Sequence, residues 1–276
     1  MCPEGRYCIG SSGDGDIDGR VLEKQPKPCP DGTYNNKTGL RNQTECSKCP
    51  GGSYCSADSI LPTGPILPGY YSQGGASSDQ PAAGSCKLVI DGTEVWSFEC
   101  GPCEPGHFCV GGQGYMEKCP IGTFAESGEL RSEEECQNCS AGYYCEFSGL
   151  TAVTAQCAAG WFCTGGATRA QPEDPDEGGI CPPGSECPEG SISPKLCDKG
   201  TYSNVSGKEA CDKCPAGYFC LEGATDPSDC PAGSYCKVGV GEPTKCQKGT
   251  FNGITNQQYQ RSCSDCLPGS LINYKV

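Results

Sequence analysis

The chain has 276 residues, 27 of them cysteine, and a formal charge of −14 at neutral pH. Nucleic acids and anionic membrane surfaces select basic patches, so the acidic balance excludes both as expected partners. The 41 glycines and 23 prolines favour turns over long helices. Because the hydrophobic fraction of 35% includes the cysteines, we expect many small cross-linked units rather than one large core.

The cysteine content predicts an oxidising compartment, where such residues form disulfides. We therefore expect a secreted or cell-surface, extracellular protein. No apolar run reaches the roughly 18–20 residues of a membrane span. Cys2 already belongs to a repeated motif and no signal peptide precedes it, so we expect the sequence to be an interior piece of a longer chain.

Four Asn-x-Ser/Thr sequons agree with a secretory route and predict N-linked glycans as bound groups. They lie at Asn36, Asn42, Asn138 and Asn204. The middle residue of the sequon at Asn138 is Cys139, and a bonded cysteine there would hinder modification of this asparagine.

A short unit, Cys-x2-Gly-x-aromatic-Cys, recurs along the chain. Its glycine can adopt the φ > 0 that a tight turn needs, and its aromatic ring can lie against the disulfide as a miniature core. Seven copies have the complete pattern, and an eighth has Glu186 in place of the aromatic residue. The cysteines of the eight short units are Cys2 and Cys8, Cys49 and Cys55, Cys103 and Cys109, Cys139 and Cys145, Cys157 and Cys163, Cys181 and Cys187, Cys214 and Cys220, and Cys230 and Cys236.

A long unit opens in the same way, as Cys-x2-Gly-Thr-Tyr/Phe, and closes 14 or 17 positions later on a Cys-x2-Cys. Its cysteines are Cys29 and Cys46, Cys119 and Cys136, Cys197 and Cys211, and Cys246 and Cys263, with Cys86 and Cys100 as a variant whose Gly92-Thr93 is displaced by three residues. These spacings divide the chain into six segments: 1–28 with an acidic loop, 29–85 with a degenerate unit, 86–118 as a variant repeat, 119–196 with extra short units, 197–245, and 246–276.

Counting favours one disulfide pairing scheme. If every long unit closes on itself, an even number of cysteines remains between consecutive loops, and the short units use all of them except Cys266. Residues 66–72 keep the glycine and the aromatic residue but lack both cysteines, as the joint loss of a bonded pair predicts. The alternative crosses adjacent units, with Cys214 bonded to Cys230 and Cys220 to Cys236. Cys266 could bond outside this sequence or to another chain, or remain a free thiol.

The run Cys197-Asp-Lys-Gly-Thr-Tyr, followed by Cys211-Asp-Lys-Cys214-Pro-Ala-Gly-Tyr-Phe-Cys220, resembles the ephrin-receptor-like cysteine-rich repeat. More distantly it resembles tumour-necrosis-factor-receptor modules. The resemblance extends from Cys2 to Gly269. It implies a small disulfide-rich, mostly irregular fold with short β ribbons, stacked into an elongated tandem-repeat rod in which each unit touches mainly its neighbours. Such repeats occur in receptor ectodomains and in large protist surface and filament proteins, including those related to mastigonemes.

An acidic loop contains the one candidate for a cofactor site. Asp14, Asp16 and Asp18 have the spacing of calcium ligands. An EF-hand needs a glutamate at loop position 12, and that residue is Gln25. A flexible acidic turn is therefore the preferred interpretation, with calcium as the alternative.

Enzymatic chemistry has few candidate groups. His107 is the single histidine, so a cysteine–histidine pair has one candidate base and no supporting constellation. Four-cysteine zinc sites are disfavoured because the Cys-x2-Cys pairs are unequally spaced. The acidic residues 172–177 are interpreted as a solvated linker. We expect a protein that is not an enzyme.

Two functions remain open. The first is an extracellular structural protein, such as a filament or stalk subunit that associates with itself or with other extracellular proteins. The alternative is a receptor or adhesion ectodomain that binds a protein ligand. Its candidate surface is the irregular insert of residues 61–99, which contains Tyr70, Tyr71, Trp96 and Phe98.

Overall fold

A computed structural model describes residues 2–9 and 26–266. Helical structure in these residues is limited to the three 3₁₀ turns Gln43–Glu45, Glu133–Glu135 and Gln260–Ser262. None of these described helices is long and apolar enough to cross a membrane. The prediction of a disulfide-rich, mostly irregular fold with short β ribbons is confirmed, whereas the elongated rod stays a prediction.

The β structure consists of two-stranded antiparallel ribbons. Each strand pairs with the next one along the chain, except that β7 pairs with β10 and encloses the hairpin β8–β9. The first strands are β1 (Arg6–Tyr7), β2 (Lys27–Pro28), β3 (Thr33–Tyr34), β4 (Ser47–Lys48), β5 (Ser53–Tyr54), β6 (Gly64–Pro65), β7 (Tyr70–Ser72), β8 (Lys87–Ile90), β9 (Thr93–Ser97), β10 (Cys100–Pro102), β11 (His107–Phe108), β12 (Glu117–Lys118), β13 (Thr123–Phe124) and β14 (Gln137–Asn138). The remaining strands are β15 (Tyr143–Tyr144), β16 (Ala155–Gln156), β17 (Trp161–Cys163), β18 (Gly178–Ile180), β19 (Ser185–Glu186), β20 (Lys195–Leu196), β21 (Thr201–Tyr202), β22 (Asp212–Lys213), β23 (Tyr218–Phe219), β24 (Ser228–Asp229), β25 (Ser234–Tyr235), β26 (Thr244–Lys245), β27 (Thr250–Phe251) and β28 (Ser264–Asp265).

The chain divides into two compact bodies. The first comprises Met1–Asn138 with Phe147–Ala152, and the second comprises Cys139–Glu146 with Val153–Val276. Both bodies contain units of the same design, with small cores built largely of half-cystines. One such core in the first body consists of Phe108, Cys119, Ala125, Leu130 and Cys136.

Each unit begins with the same turn. The glycine three residues after the opening residue has a φ between 75° and 90° in every described unit, a left-handed conformation that favours glycine. The next two residues form a strand, which pairs with the residues just before the opening cysteine of the following unit. The opening-turn glycines are Gly5, Gly32, Gly52, Gly69, Gly106, Gly122, Gly142, Gly160, Gly184, Gly200, Gly217, Gly233 and Gly249.

Within each body, backbone hydrogen bonds join consecutive units through this glycine. The N–H of Cys197 donates to the carbonyl of Gly184 in the preceding unit at 2.9 Å. The N–H of Gly184 donates in turn to the carbonyl of Ser203 at 2.7 Å. Ser203 occupies the closing position, six residues after the opening cysteine. A short unit has its second cysteine there, and the four long units have small or polar buried residues: Asn35, Ala125, Ser203 and Asn252.

A second left-handed residue lies nine or ten positions after the opening residue. In the unit that opens at Cys214 it is Gly223, whose N–H donates to the carbonyl of Cys197 in the preceding unit at 2.8 Å. This position is glycine in most described units. The exceptions are Asp58, Glu129 and Asn256, with φ values of 65°, 64° and 61°.

The contacts of a unit extend beyond its adjacent neighbour. A Cβ added to Gly184 would lie 2.5 Å from the carbonyl oxygen of Gly223, two units further along the chain. A Cβ on Gly217 would lie 2.7 Å from the carbonyl oxygen of Asn256, again two units away. The sequence predicts contacts mainly between adjacent units, and the structure adds this second-neighbour approach. The opening glycine is thus needed both for its φ and for the absence of a side chain.

Gly184→Ala and Gly239→Ala separate these two requirements. Gly239 has a φ of 74°, and no described residue lies within 4 Å of a Cβ added there. Gly239→Ala should cost about 1 kcal/mol of local stability from backbone strain. Gly184→Ala should cost about 3 kcal/mol, because overpacking adds to that strain. Native-state hydrogen exchange at the amides of the mutated unit and its neighbours measures both values. Equal losses in the two variants would refute the second-neighbour contact.

Candidate functional site

The disulfides determine the framework of every candidate surface. The structure has thirteen, and each joins the two cysteines that the self-closing scheme pairs. In place of the crossed alternative, Cys214 bonds Cys220 and Cys230 bonds Cys236. The loops follow one another without overlap: eight of the bonds join cysteines six positions apart, and the other five join cysteines 14 or 17 positions apart.

Cys266 is half-buried and has no disulfide partner in the chain. Its N–H donates to the carbonyl of Gly249 at 2.9 Å, the bond that an opening cysteine makes to the preceding unit. Ile272, at the position where a closing cysteine would stand, lies outside the described residues.

The unit that lacks both cysteines keeps the fold of the others. Gly69 has a φ of 88°, and the N–H of Ile66 donates to the carbonyl of Gly52 at 2.9 Å. Ile66 and Ser72 occupy the two cysteine positions and are buried. The Ser72 hydroxyl donates to the carbonyl of Gly74 at 3.2 Å. An apolar and a hydrogen-bonded side chain thus replace the disulfide.

Residues 86–100 are a hairpin inserted into this same unit. Strands β8 and β9 pair through a two-residue turn at Asp91 and Gly92, which have φ values of 48° and 79°. Two left-handed residues are typical of the tight turn that connects antiparallel strands. The Gly92-Thr93 pair, interpreted from the sequence as a displaced opening turn, therefore belongs to the hairpin. The disulfide between Cys86 and Cys100 closes the base of the insert.

The aromatic side chains of the hairpin pack onto the preceding chain. Trp96 lies against Gly75, and the Phe98 ring lies over Gly74. Their ring centroids are 5.6 Å apart, and the Lys48 ammonium lies 5.1 Å from the centroid of Phe98. Such cation–π contacts stabilise an ammonium by about 0.5–1 kcal/mol at exposed sites. The insert is therefore anchored on the unit rather than free of it.

A surface cavity of about 730 Å³ lies beside the base of the hairpin, within the first body. Its lining combines aromatic rings and a thioether with two carboxylates. The lining residues are Tyr71, Gln73, Ala83, Gly84, Ser97, Phe98, Glu99, Cys100, Glu104 and Met116. The sequence singled out Tyr71 and Phe98 within the insert. It missed Glu104 and Met116, which belong to the next unit, because spacing along the chain does not show which loops meet.

The electrostatics of this cavity centre on Tyr71. Burial raises the pKa of its hydroxyl, and the charges of Glu99 and Glu104 raise it further. The phenol is therefore neutral at physiological pH and lies within the field of both carboxylates. Glu99 accepts a hydrogen bond from the Gln73 side-chain amide at 3.0 Å, which holds one carboxylate in place.

The four sequon asparagines are exposed. Asn36 and Asn204 occupy the same position in two long units, directly after the closing position. Asn42 accepts a hydrogen bond from the Thr44 N–H at 3.1 Å, and Asn138 lies on β14 opposite Thr123. Glycosylation at these residues stays a prediction.

The calcium candidates Asp14, Asp16 and Asp18 lie outside the described residues. In residues 2–9 and 26–266 there is no group of three or more side chains suited to hold a metal ion. His107 is half-buried on β11, and its Nδ1 lies 3.2 Å from the carbonyl oxygen of Pro105.

The acidic residues 172–177 form an ordered part of a unit. They lie in the loop between strands β17 and β18, which pair with each other. The Thr168 N–H donates to the Glu177 carboxylate at 3.0 Å, and the Thr164 hydroxyl donates to the carbonyl of Asp176 at 2.8 Å. Glu173, Asp174 and Asp176 are exposed. These side chains are solvated as the sequence predicts, but the backbone is folded back onto the unit.

Glu186, at the position of the missing aromatic residue, links two units. It accepts hydrogen bonds from the Lys195 ammonium at 2.8 Å and from the Cys211 N–H at 3.0 Å. The hydrogen bond from Lys195 and that from Cys211 lower the pKa of the Glu186 carboxyl. A charged hydrogen bond thus takes the place of ring packing in this unit.

No protein-family model matches the chain, and no curated protein matches it either. The class of the protein therefore rests on its own chemistry. Dense disulfides in short consecutive loops fit an extracellular cysteine-rich protein.

Disulfide mapping without reduction tests the pairing. After capping of thiols and denaturation, cleavage at lysine, arginine and glutamate should release residues 214–222 and 223–237 as separate peptides, each with its own disulfide. The crossed scheme requires one linked species. Fragments that contain Cys197 and Cys211 should stay joined until reduction, which provides the internal control. The capping reagent should label Cys266 alone.

Glu186→Gln should weaken the junction with the unit that opens at Cys197. A carboxyl with a lowered folded pKa stabilises the fold above its unfolded pKa, near 4.5, and this stabilisation is lost as the pH falls through the folded value. We expect Glu186→Gln to lower the stability of this junction by about 1 kcal/mol at pH 7. The difference from the unchanged protein should shrink towards zero in acid. Hydrogen exchange at the Cys211 amide measures it. The exposed Glu189→Gln is the control, and an equal effect in both variants would contradict the assignment.

Proposed function

We propose that this chain is an extracellular structural protein, a filament subunit or surface scaffold built of ephrin-receptor-like repeats, and that it has no catalytic role. The observation that carries the proposal is the shared backbone design of the units. Short units, long units and the unit without cysteines all present the same opening turn to the next unit. A protein selected for such regularity is suited to building length and carrying load.

The chemistry of the surface supports this proposal. The net charge of −14 favours solubility at high local density. The exposed asparagines at 36 and 204 would place glycans at equivalent points of two long units. Disulfides in loops of about 15 residues, each worth about 3 kcal/mol, would hold small units together outside the cell. Self-association or binding to other extracellular proteins is the interaction that we propose.

A receptor or adhesion ectodomain is the second candidate, and the hairpin insert favours it. The hairpin interrupts an otherwise regular unit and lies next to the cavity lined by Tyr71 and Phe98. Loops that depart from a repeat are common binding surfaces in repeat proteins. This candidate predicts saturable binding to a protein on a cell surface.

Immunogold labelling of the source cells with an antibody against the chain tests the structural role. We expect label on extracellular filaments or on a surface coat. Antibody preadsorbed with the purified chain is the control. Label confined to a soluble internal compartment would contradict the proposal. Label on single membrane receptors, together with saturable binding of the purified chain to cells, would instead support the second candidate.

A further inference from the structure

We propose that the cavity beside the hairpin binds a single cationic side chain, arginine or lysine, of a partner protein. The cavity is open to the surface, is lined by residues of the first body alone and has a volume of about 730 Å³, larger than one such side chain needs. Part of its wall is apolar and part is acidic, as an alkyl chain with a positive end requires.

The apolar part of the wall suits the methylene chain and the face of the cationic group. Phe98 and Met116 are both half-buried, and Met116 packs against the cluster of Tyr71, Cys103 and Cys109. The Phe98 ring already attracts one ammonium group, because Lys48 lies 5.1 Å from its centroid without lining the cavity. A second cation, bound in the cavity, could make the same cation–π contact with the Phe98 ring.

The acidic part of the wall lacks a positive partner. Glu99 and Glu104 line the cavity and are exposed. Neither forms an ion pair with any described residue. A guanidinium or ammonium group placed between them would receive charge-assisted hydrogen bonds.

A polar group without a protein partner points to a ligand independently of these charges. Tyr71 lines the cavity and is only 7% exposed as a whole residue, and its hydroxyl makes no hydrogen bond to any described residue. The hydroxyl lies in the field of both carboxylates. Its oxygen is open to the cavity, so a cationic donor placed there can donate to the phenol oxygen as well as to the carboxylates.

The test uses the full chain labelled with ¹³C at its methionine methyl groups. There are two methionines, so Met116 reports on the cavity and Met1 serves as the internal reference. The probes are Nα-acetyl-arginine amide, Nα-acetyl-lysine amide and the neutral Nα-acetyl-citrulline amide. We expect a saturable shift of the Met116 signal with one or both cationic probes and none with the citrulline probe. The tighter of the two cationic probes identifies the side chain.

Glu99→Gln/Glu104→Gln should weaken binding of the cationic probe about tenfold, since each exposed charge contributes up to about 1 kcal/mol. Glu94→Gln/Glu133→Gln removes the same charge from exposed positions outside the cavity and should leave the affinity unchanged. Tyr71→Phe should weaken binding while the Met116 signal stays dispersed, as a folded site requires. Equal binding of the citrulline probe, equal effects of the two double variants, or a Met116 shift with calcium chloride alone would overturn the proposal.

Discussion

Within each body, the opening-turn glycines bond the following unit through both their amide and their carbonyl, and the rest of the structure depends on this pair of hydrogen bonds. Gly184 donates to Ser203 and accepts from Cys197, and ten other opening-turn glycines make both bonds. The turn that presents these groups has its glycine in a left-handed conformation, which a residue with a Cβ adopts only with strain. The close approach of a carbonyl from two units away also leaves no room for a Cβ.

The disulfides act locally in this arrangement. Each bond closes one turn or one loop, and none joins two units. The covalent links therefore shape the units that have them, while backbone hydrogen bonds set the place of each unit among its neighbours. This division explains how the unit with Ile66 and Ser72 survives without a disulfide: its two neighbours hold it through the backbone. It also explains the substitution at Glu186, where a hydrogen bond to Cys211 replaces the packing of a ring.

The second body and the first share one design, but among the described residues the inserted hairpin belongs to the first. Its position follows from the repeat: strands β7 and β10 form the ribbon that every other unit forms, and the hairpin extends from the loop between them. The loop between β17 and β18 is a smaller example of such an insertion. Its acidic residues 172–177 are held by hydrogen bonds from Thr168 and Thr164. Loops between the paired strands can lengthen beyond the second left-handed residue, because the groups that bond neighbouring units, such as those of Ser72 and Gly75, precede the inserted residues. Variation in the length of the units is therefore concentrated in the later part of these loops, where it does not disturb the hydrogen bonds between units.

The sequence by itself determined where the units begin, which residue makes the turn, and how the cysteines can be paired, because all three are local. The Cys-x2-Gly spacing defines a turn, and counting the cysteines between Cys29 and Cys266 favours bonds within units. Only the tertiary structure decided the features that depend on neighbours. The second left-handed position has no fixed residue type, since Asp58, Glu129 and Asn256 serve as well as glycine. The cavity joins Tyr71 to Glu104 and Met116 through contacts that no spacing along the chain encodes.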